Sequence, residues 1–394
     1  MFTGVAINAS SVRRQYTHAL AVDSGMLILQ RATDQYPTEQ ELTRLTSLAA
    51  PDVLLLDMDN PELAVRCLQV IQTRYTDTPV IAFGGTPVQH KALRVYGIQH
   101  FLPYPTEPDI FVAMLAETIR ANYSENLPNL FAFLPAKAGC GASTITLGLA
   151  SALANHLGKN VLCMDTDLRS GAQALMLDLD PRGSTQGALK GAYELDNFKW
   201  TNAVTRHHEV DFLLSTGNVL NPPAEWSHYF ALIRFVEKRY DAILADLPEL
   251  INGATEEVVR RANLVFLVTT QEPVALRLAA RRFEDLKRWG VPEAHVRLVV
   301  NRWQRRDTSA EQIEAAVGLP VSSTLSNDYN RVRATLQSGI SPVPADNAFG
   351  KELVRFGQGL MGVMEAAVHP AAPPEQTRNG FAGVLRLLVT RQAR

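Results

Sequence analysis

Residues 131–150, FAFLPAKAGCGASTITLGLA, constrain this chain more than any other stretch. The apolar run 130–134 leads into a loop of small residues with two glycines, and a helical pattern starts at Ser143. A buried strand, a glycine loop and a helix N-terminus in that order make a phosphate cradle. The backbone N–H groups point inward and the helix dipole favours negative charge. The pattern G-x-x-x-x-G-K-[ST] aligns over Ala136 to Ser143 with two departures. Ala136 stands for the first glycine, and Ala142 for the lysine that would reach the distal phosphates. Another lysine, Lys137, sits at the start of the loop.

A chain of 394 residues that is 46% hydrophobic has material for two ordinary cores. Net charge is −2, so no specific nucleic-acid partner is expected from the overall balance. The three cysteines, Cys67, Cys140 and Cys163, fall at unrelated spacings. They suit a reducing cytoplasm and give no zinc pattern. No apolar run reaches the ~18 residues of a membrane span, and the N-terminus lacks the apolar core of a signal peptide.

Residues 1–122 alternate short apolar runs with helical patterns. Strands are expected at 5–7, 53–57, 79–83 and 100–102, and helices at 38–49, 62–74, 93–97 and 108–121. The run 53–57 ends in Asp57, as a buried parallel strand would. This alternation predicts a small doubly wound α/β domain. Residues 123–129 read as a polar linker, and a second α/β domain is expected over 130–368.

In the second domain a helix is expected over 144–157, closed by Gly158, and strands at 161–165, 210–214, 240–248, 263–269, 296–300 and 319–321. Asp165-Thr166-Asp167 ends one strand and Asp246 another. Carboxylates placed there lie beside the phosphate loop, where one can order Mg²⁺ or an attacking water. Asn301 directly follows the strand at 296–300.

The first domain resembles a response-regulator receiver, with Asp57 at the phosphoacceptor position. The resemblance departs at Asn8-Ala9-Ser10, where an acidic pair would bind Mg²⁺. It departs again at Gly84 and at Tyr104-Pro105, where receivers carry Ser/Thr and Lys-Pro. One acid alone cannot manage phosphoryl chemistry. The reading is a pseudo-receiver used for protein contacts; the plainer one is a strand-end carboxylate capping a loop.

The second domain resembles the MinD/ParA group of P-loop ATPases, whose motif begins K-G-G-x-G-K-[ST]. Lys137-Ala138-Gly139-Cys140-Gly141-Ala142-Ser143-Thr144 is this chain's version. Asp165-Thr166-Asp167-Leu168, Thr269-Thr270-Gln271-Glu272-Pro273 and Val299-Val300-Asn301-Arg302 follow in the group's order. The pairing of the two domains is similar to the CpaE/TadZ pilus-assembly proteins, over about residues 1–365. The resemblance implies an ATP and Mg²⁺ site. Residues 138–144 would line the phosphates, with Ser143 on Mg²⁺ and Asp246 holding it through water. Asp167 would position the attacking water or contribute to the metal. Asn301 would read the adenine edge, and Lys137 would act in trans across an ATP-sandwiched homodimer. Simpler roles stand beside these. Lys137 can be a solvated loop lysine. Asp165 and Asp167 can be caps, Asn301 a turn residue, and Cys140 a small filler.

Losing the lysine at position 142 removes one charge-assisted contact, roughly 1.5–3 kcal/mol, or about 10- to 100-fold in affinity. Hydrolysis should suffer more, since that charge also stabilises the transition state. The expectation is ATP binding with weak or no turnover, in a positioning hub for pilus or secretion-apparatus proteins. That hub would be cytoplasmic, at a cell pole or peripheral to the inner membrane. An active ATPase cycling on membrane or DNA, and an output protein switched at Asp57, are the competing readings. After a proline-rich break, 369–394 ends in a short basic helix pattern. Phe381, Val384, Leu385 and Leu388 share one face, suited to a membrane surface over 380–394 or to packing on the protein itself.

Overall fold

The computed structural model of the chain describes residues 2–46, 51–74, 78–98, 100–122, 126–217, 223–328, 330, 332–334 and 348–368. The helix expected at 380–394 lies outside the described residues.

Strands β1 (Phe2–Ile7), β2 (Leu27–Ala32), β3 (Val53–Asp57), β4 (Val80–Phe83) and β5 (His100–Leu102) form a parallel sheet in the order β2-β1-β3-β4-β5. Helices Ser11–Asp23, Glu39–Thr46, Pro61–Arg74 and Pro87–Leu93 connect them, and Pro108–Asn122 follows β5. That strand order is a doubly wound one. β3, VLLLD, is buried along its whole length and feeds both faces. Val53 and Leu55 pack with Leu20, Phe111 and Leu115, while Leu54 and Leu56 pack with Leu68 and Ile71. This is the period of two that a covered parallel strand imposes. Helix Ser11–Asp23 and β2 were not anticipated from the sequence, and the helical turns expected at 93–97 begin earlier, at Pro87.

The second sheet holds β6 (Leu127–Pro135), β7 (Val161–Asp165), β8 (Thr205–His207), β9 (Val210–Leu213), β10 (Ala242–Asp246), β11 (Ala262–Thr269), β12 (Val296–Trp303) and β13 (Val321–Ser326). Its order is β13-β12-β11-β6-β10-β7-β9-β8, parallel apart from the β8–β9 pair. β6 starts at Leu127, inside the stretch expected as linker, because it continues the pairing with β11. The chain leaves β6 toward β7 and leaves β10 toward β11, so the crossovers reverse direction between these two strands. Ligands bind outside the carboxyl ends of strands at such a reversal. The glycine loop after β6 and Asp246 at the end of β10 both face that crevice.

The helix after the loop, Ala142–Ser151, starts one residue before Ser143 and widens into a π-helical turn over Ala152–His156. Gly158, at φ +63°, ends it. β12 runs three residues past Val300, and β13 covers 321–326 rather than 319–321.

The two sheets meet through the N-terminal edge of the first. Phe2, opening β1, lies 5.0 Å from the Phe230 ring, and Trp226 flanks it. Asp52, just before β3, accepts from Thr3 and pairs with Arg234. Arg120, near the end of helix Pro108–Asn122, lies over Trp226 and 3.7 Å from Glu257. Docking by that edge leaves Asp57, at the other end of β3, away from the seam.

Candidate functional site

The loop from Ala136 to Gly141 is built by a turn in which Cys140 N–H donates to the Lys137 carbonyl. Gly139 and Gly141 adopt φ of +83° and +93°, a region that side chains disfavour. At Gly141 space is also missing, since a Cβ would fall 2.2 Å from Asn301 Nδ2. The first N–H groups of helix Ala142–Ser151 have no acceptor within that helix. They open on the crevice. Ala142 is buried and brings no charge. Cys140 is also buried, and burial pushes its thiol above the ordinary range. It is packing.

Asp246 and Asp165 stand side by side in register at the ends of β10 and β7. Both are buried. Asp246 Oδ2 accepts from Gln173 Nε2 at 3.1 Å, while its buried Oδ1 has no hydrogen-bond partner among the described residues. Burial raises Asp246 well above the usual carboxylate range, though Ser143 and Gln173 favour its charged form. Burial raises Asp165 too, with the Asp246 charge adding to it. Asp165 accepts from the N–H groups of Asp167 and Gln173, and Asp167 Oδ1 accepts from those of Arg169 and Ser170. Both acids thus accept backbone N–H bonds.

A cleft of about 530 Å³ opens beside the far end of the loop. Gly141, Thr144, Asn301, Arg302, Ser326 and Phe349 are among its lining residues. Asn301 lies inside β12, not after it. Its Nδ2 donates to the Cys140 carbonyl at 2.8 Å and its Oδ1 accepts from Arg302 N–H. The amide expected to read a base is thus already tying β12 to the loop.

At the near end, Lys137 Nζ lies 3.3 Å from Glu272, and the Ala138 N–H donates to Glu249 Oε2 at 2.9 Å. The sequence reading assigned no role to Gln173, Glu249, Arg302 or the 326–328 segment. Of these only Arg302 falls within a motif quoted above.

Asp57 has a different setting. Its carboxylate is fully buried, accepts from the N–H groups of Ala9 and Asp59 at 3.0 Å each, and lies 3.5 Å from Arg13. The Arg13 guanidinium also pairs with Asp59 and stacks 3.3 Å over the Tyr104 ring. Asn8 is spent on Thr33 and Thr17. A protein cation thus stands beside Asp57.

No family model matches the chain. A septum site-determining MinD protein of Oltmannsiellopsis viridis is 26% identical over 249 residues, 59% of this chain and 76% of that protein. Among solved structures, a ParA-family ATPase from Chlorobium tepidum TLS superposes with a TM-score of 0.55 at 23% identity, covering 59% of this chain and 99% of that one. The MinC:MinD cell-division complex of Aquifex aeolicus gives 0.51 at 18% identity, covering 63% and 99%. The chain thus contains a P-loop domain of mostly parallel sheet that shares the MinD/ParA fold and is similar to MinD in sequence.

Proposed function

We propose that this protein binds Mg-ATP at the loop 137–144 and uses the bound nucleotide to control dimerisation, with weak or no hydrolysis. The observation that carries the reading is Asp246. A buried carboxylate oxygen without a partner, beside a second buried carboxylate and next to Ser143, is costly without a cation. A divalent ion removes that cost. Ser143 would hold Mg²⁺ directly and Asp246 would hold it through water. The ion, when bound, neutralises phosphate charge. The glycine loop and the helix N-terminus supply N–H donors for phosphate oxygens, and the cleft at Asn301 has room for a nucleoside.

Weak turnover follows from position 142, where a buried methyl stands in place of a cation. Lys137 stands at the mouth of the loop beside Glu272, and in this reading it would reach a second copy. The first domain supports a pseudo-receiver role through its strand order and the Arg13–Asp57 pair, which disfavours phosphoryl control at Asp57. With the domain pairing similar to CpaE/TadZ, the reading extends by analogy to a cytoplasmic hub that positions a pilus or secretion apparatus. Residues 1–122 would be its partner-facing domain, 123–126 its linker and 127–368 its nucleotide domain.

Titration calorimetry with Mg-ATP tests the site. Saturable binding is expected, weakened about tenfold or more by Ser143→Ala. A folded wild-type protein that takes up no nucleotide would overturn the reading. Clear saturable turnover abolished by Asp167→Ala would replace it with that of an active ATPase.

A further inference from the structure

The nucleotide reading leaves one contact unexplained: the carboxylate of Glu249 on the first amide of the loop. We infer that Glu249 sets the length of phosphate chain that this loop accepts, disfavouring a third phosphate until it is moved aside. The inference rests on the loop being a nucleotide site.

The loop has two distinct ends. The cleft adjoins Gly141, Thr144 and Asn301, and it is the cavity beside the loop with room for a nucleoside. A phosphate chain attached there must run back along the loop toward Lys137 and Ala138. The last phosphate of the longer nucleotide comes nearest to Ala138, whose N–H is already bonded to Glu249 Oε2 at 2.9 Å. An anion placed on a loop amide by the protein itself imitates a phosphate oxygen.

Glu249 is anchored on its other side. Its Oε1 lies 3.8 Å from Arg282 NH2, and Arg282 is largely buried on helix Pro273–Arg288. That guanidinium holds the carboxylate on the side of the loop. Glu249 also follows Asp246 by only three residues, so the segment joining the metal-facing acid to this carboxylate is short. Glu249 thus sits on the short segment 247–252, which carries the exposed Leu250, and we expect its displacement to loosen that segment. A diphosphate, shorter by one charged group, leaves the contact in place. The loop thus distinguishes the two nucleotides by a like-charge conflict that only the longer one meets.

The test compares Mg-ATP and Mg-ADP affinities of the full chain by calorimetry for wild type, Glu249→Gln and Glu249→Ala. Glutamine retains an oxygen for the Ala138 N–H and removes only the charge. The expected result is a rise of about tenfold in ATP affinity for Glu249→Gln, with ADP affinity changed by less than about twofold. Glu249→Ala should move the ratio in the same direction. Amide hydrogen exchange supplies a second readout. In wild type, ATP but not ADP should raise exchange across 247–252, and in Glu249→Gln the two nucleotides should act alike. Equal gains for both nucleotides, or an unchanged ratio, would overturn the inference while leaving the nucleotide site standing. Failure of all three proteins to bind either nucleotide would remove the site reading and the inference together.

Discussion

Two aspartates in this molecule occupy equivalent places in their own domains. Asp57 ends β3 and Asp246 ends β10, each at the carboxyl edge of a buried parallel strand. Asp57 has two backbone N–H donors and the Arg13 guanidinium 3.5 Å away, although burial still pushes its carboxyl up. Asp246 has Gln173 and Ser143 beside it, one oxygen with no hydrogen-bond partner among the described residues and a second carboxylate in register. The first arrangement has its counter-charge within the protein. The second leaves charge uncompensated, which a folded protein tolerates at sites reserved for a bound cation or a proton. The same residue at the same place in a strand thus faces a protein cation in one domain and a second carboxylate in the other.

The largest effect that would break this comparison comes from Asp246→Asn. If the carboxylate awaits Mg²⁺, the variant should lose about 10- to 100-fold in nucleotide affinity in the presence of the metal, and most of the metal dependence with it. Stability should move the other way. A carboxyl whose folded pKa is raised lets the native state bind more protons than the unfolded chain. Its stabilising contribution is present below the ordinary carboxylate pKa, near ~4, and is lost as pH rises through the raised value. In metal-free buffer the wild type should therefore melt at a lower temperature as pH increases from about 6 to about 8.5, while Asp246→Asn should show a flatter profile. Parallel profiles for the two proteins would place the uncompensated charge elsewhere.

Arg13→Ala tests the other half. Removing the cation leaves Asp57 with its two N–H donors but an unpaired buried charge, and it also removes the stack on Tyr104. Arg13 is partly exposed, so the cost should fall below the 3–5 kcal/mol of a fully buried pair, at about 2 kcal/mol. Asp57→Asn added to that background should recover part of the loss, because the stranded charge disappears. A double-mutant cycle by urea denaturation checks this. Additive effects, with no coupling between the two positions, would mean that Arg13 is held by Asp59 and Tyr104 alone.

Legibility in the sequence followed burial. β3, β7, β10 and β11 are continuous apolar runs because both their faces are covered, and such runs are readable without any partner in view. β2 is an edge strand with a mixed pattern of exposure, and helix Ser11–Asp23 buries only Thr17, Leu20 and Ala21. Neither offers a clean period. In the site, the glycine loop and the two strand-end acids were visible because backbone geometry demands those residue types. Gln173, Glu249 and Arg13 reach the acids and the loop through tertiary placement. Gln173 bonds Asp246 across 73 positions and Glu249 bonds Ala138 across 111, so no local pattern announces them. Asn301 shows the limit of a motif match. The residue is where the resemblance put it, but its amide is bonded to the loop carbonyl of Cys140.

The smallest expected effect sharpens the comparison from the solvent side. Lys137 and Glu272 form a pair whose side chains are 30% and 60% exposed, at 3.3 Å, a separation close to that of Arg13 and Asp57. Distance alone would rank the two pairs together; exposure does not. An exposed pair is screened and pays side-chain entropy, so Glu272→Gln should change stability by no more than about 0.5 kcal/mol. The proposed purpose of Lys137 lies outside its own subunit, and its loose tether suits that purpose. Light scattering with Mg-ATP should show a rise in mass for wild type and for Glu272→Gln, and none for Lys137→Ala, with all three melting at nearly the same temperature. A Lys137→Ala protein that still gains mass with ATP would reduce Lys137 to a solvated loop residue. One that melts well below wild type would make the Lys137–Glu272 pair a structural contact like that of Arg13, and exposure would no longer separate the two.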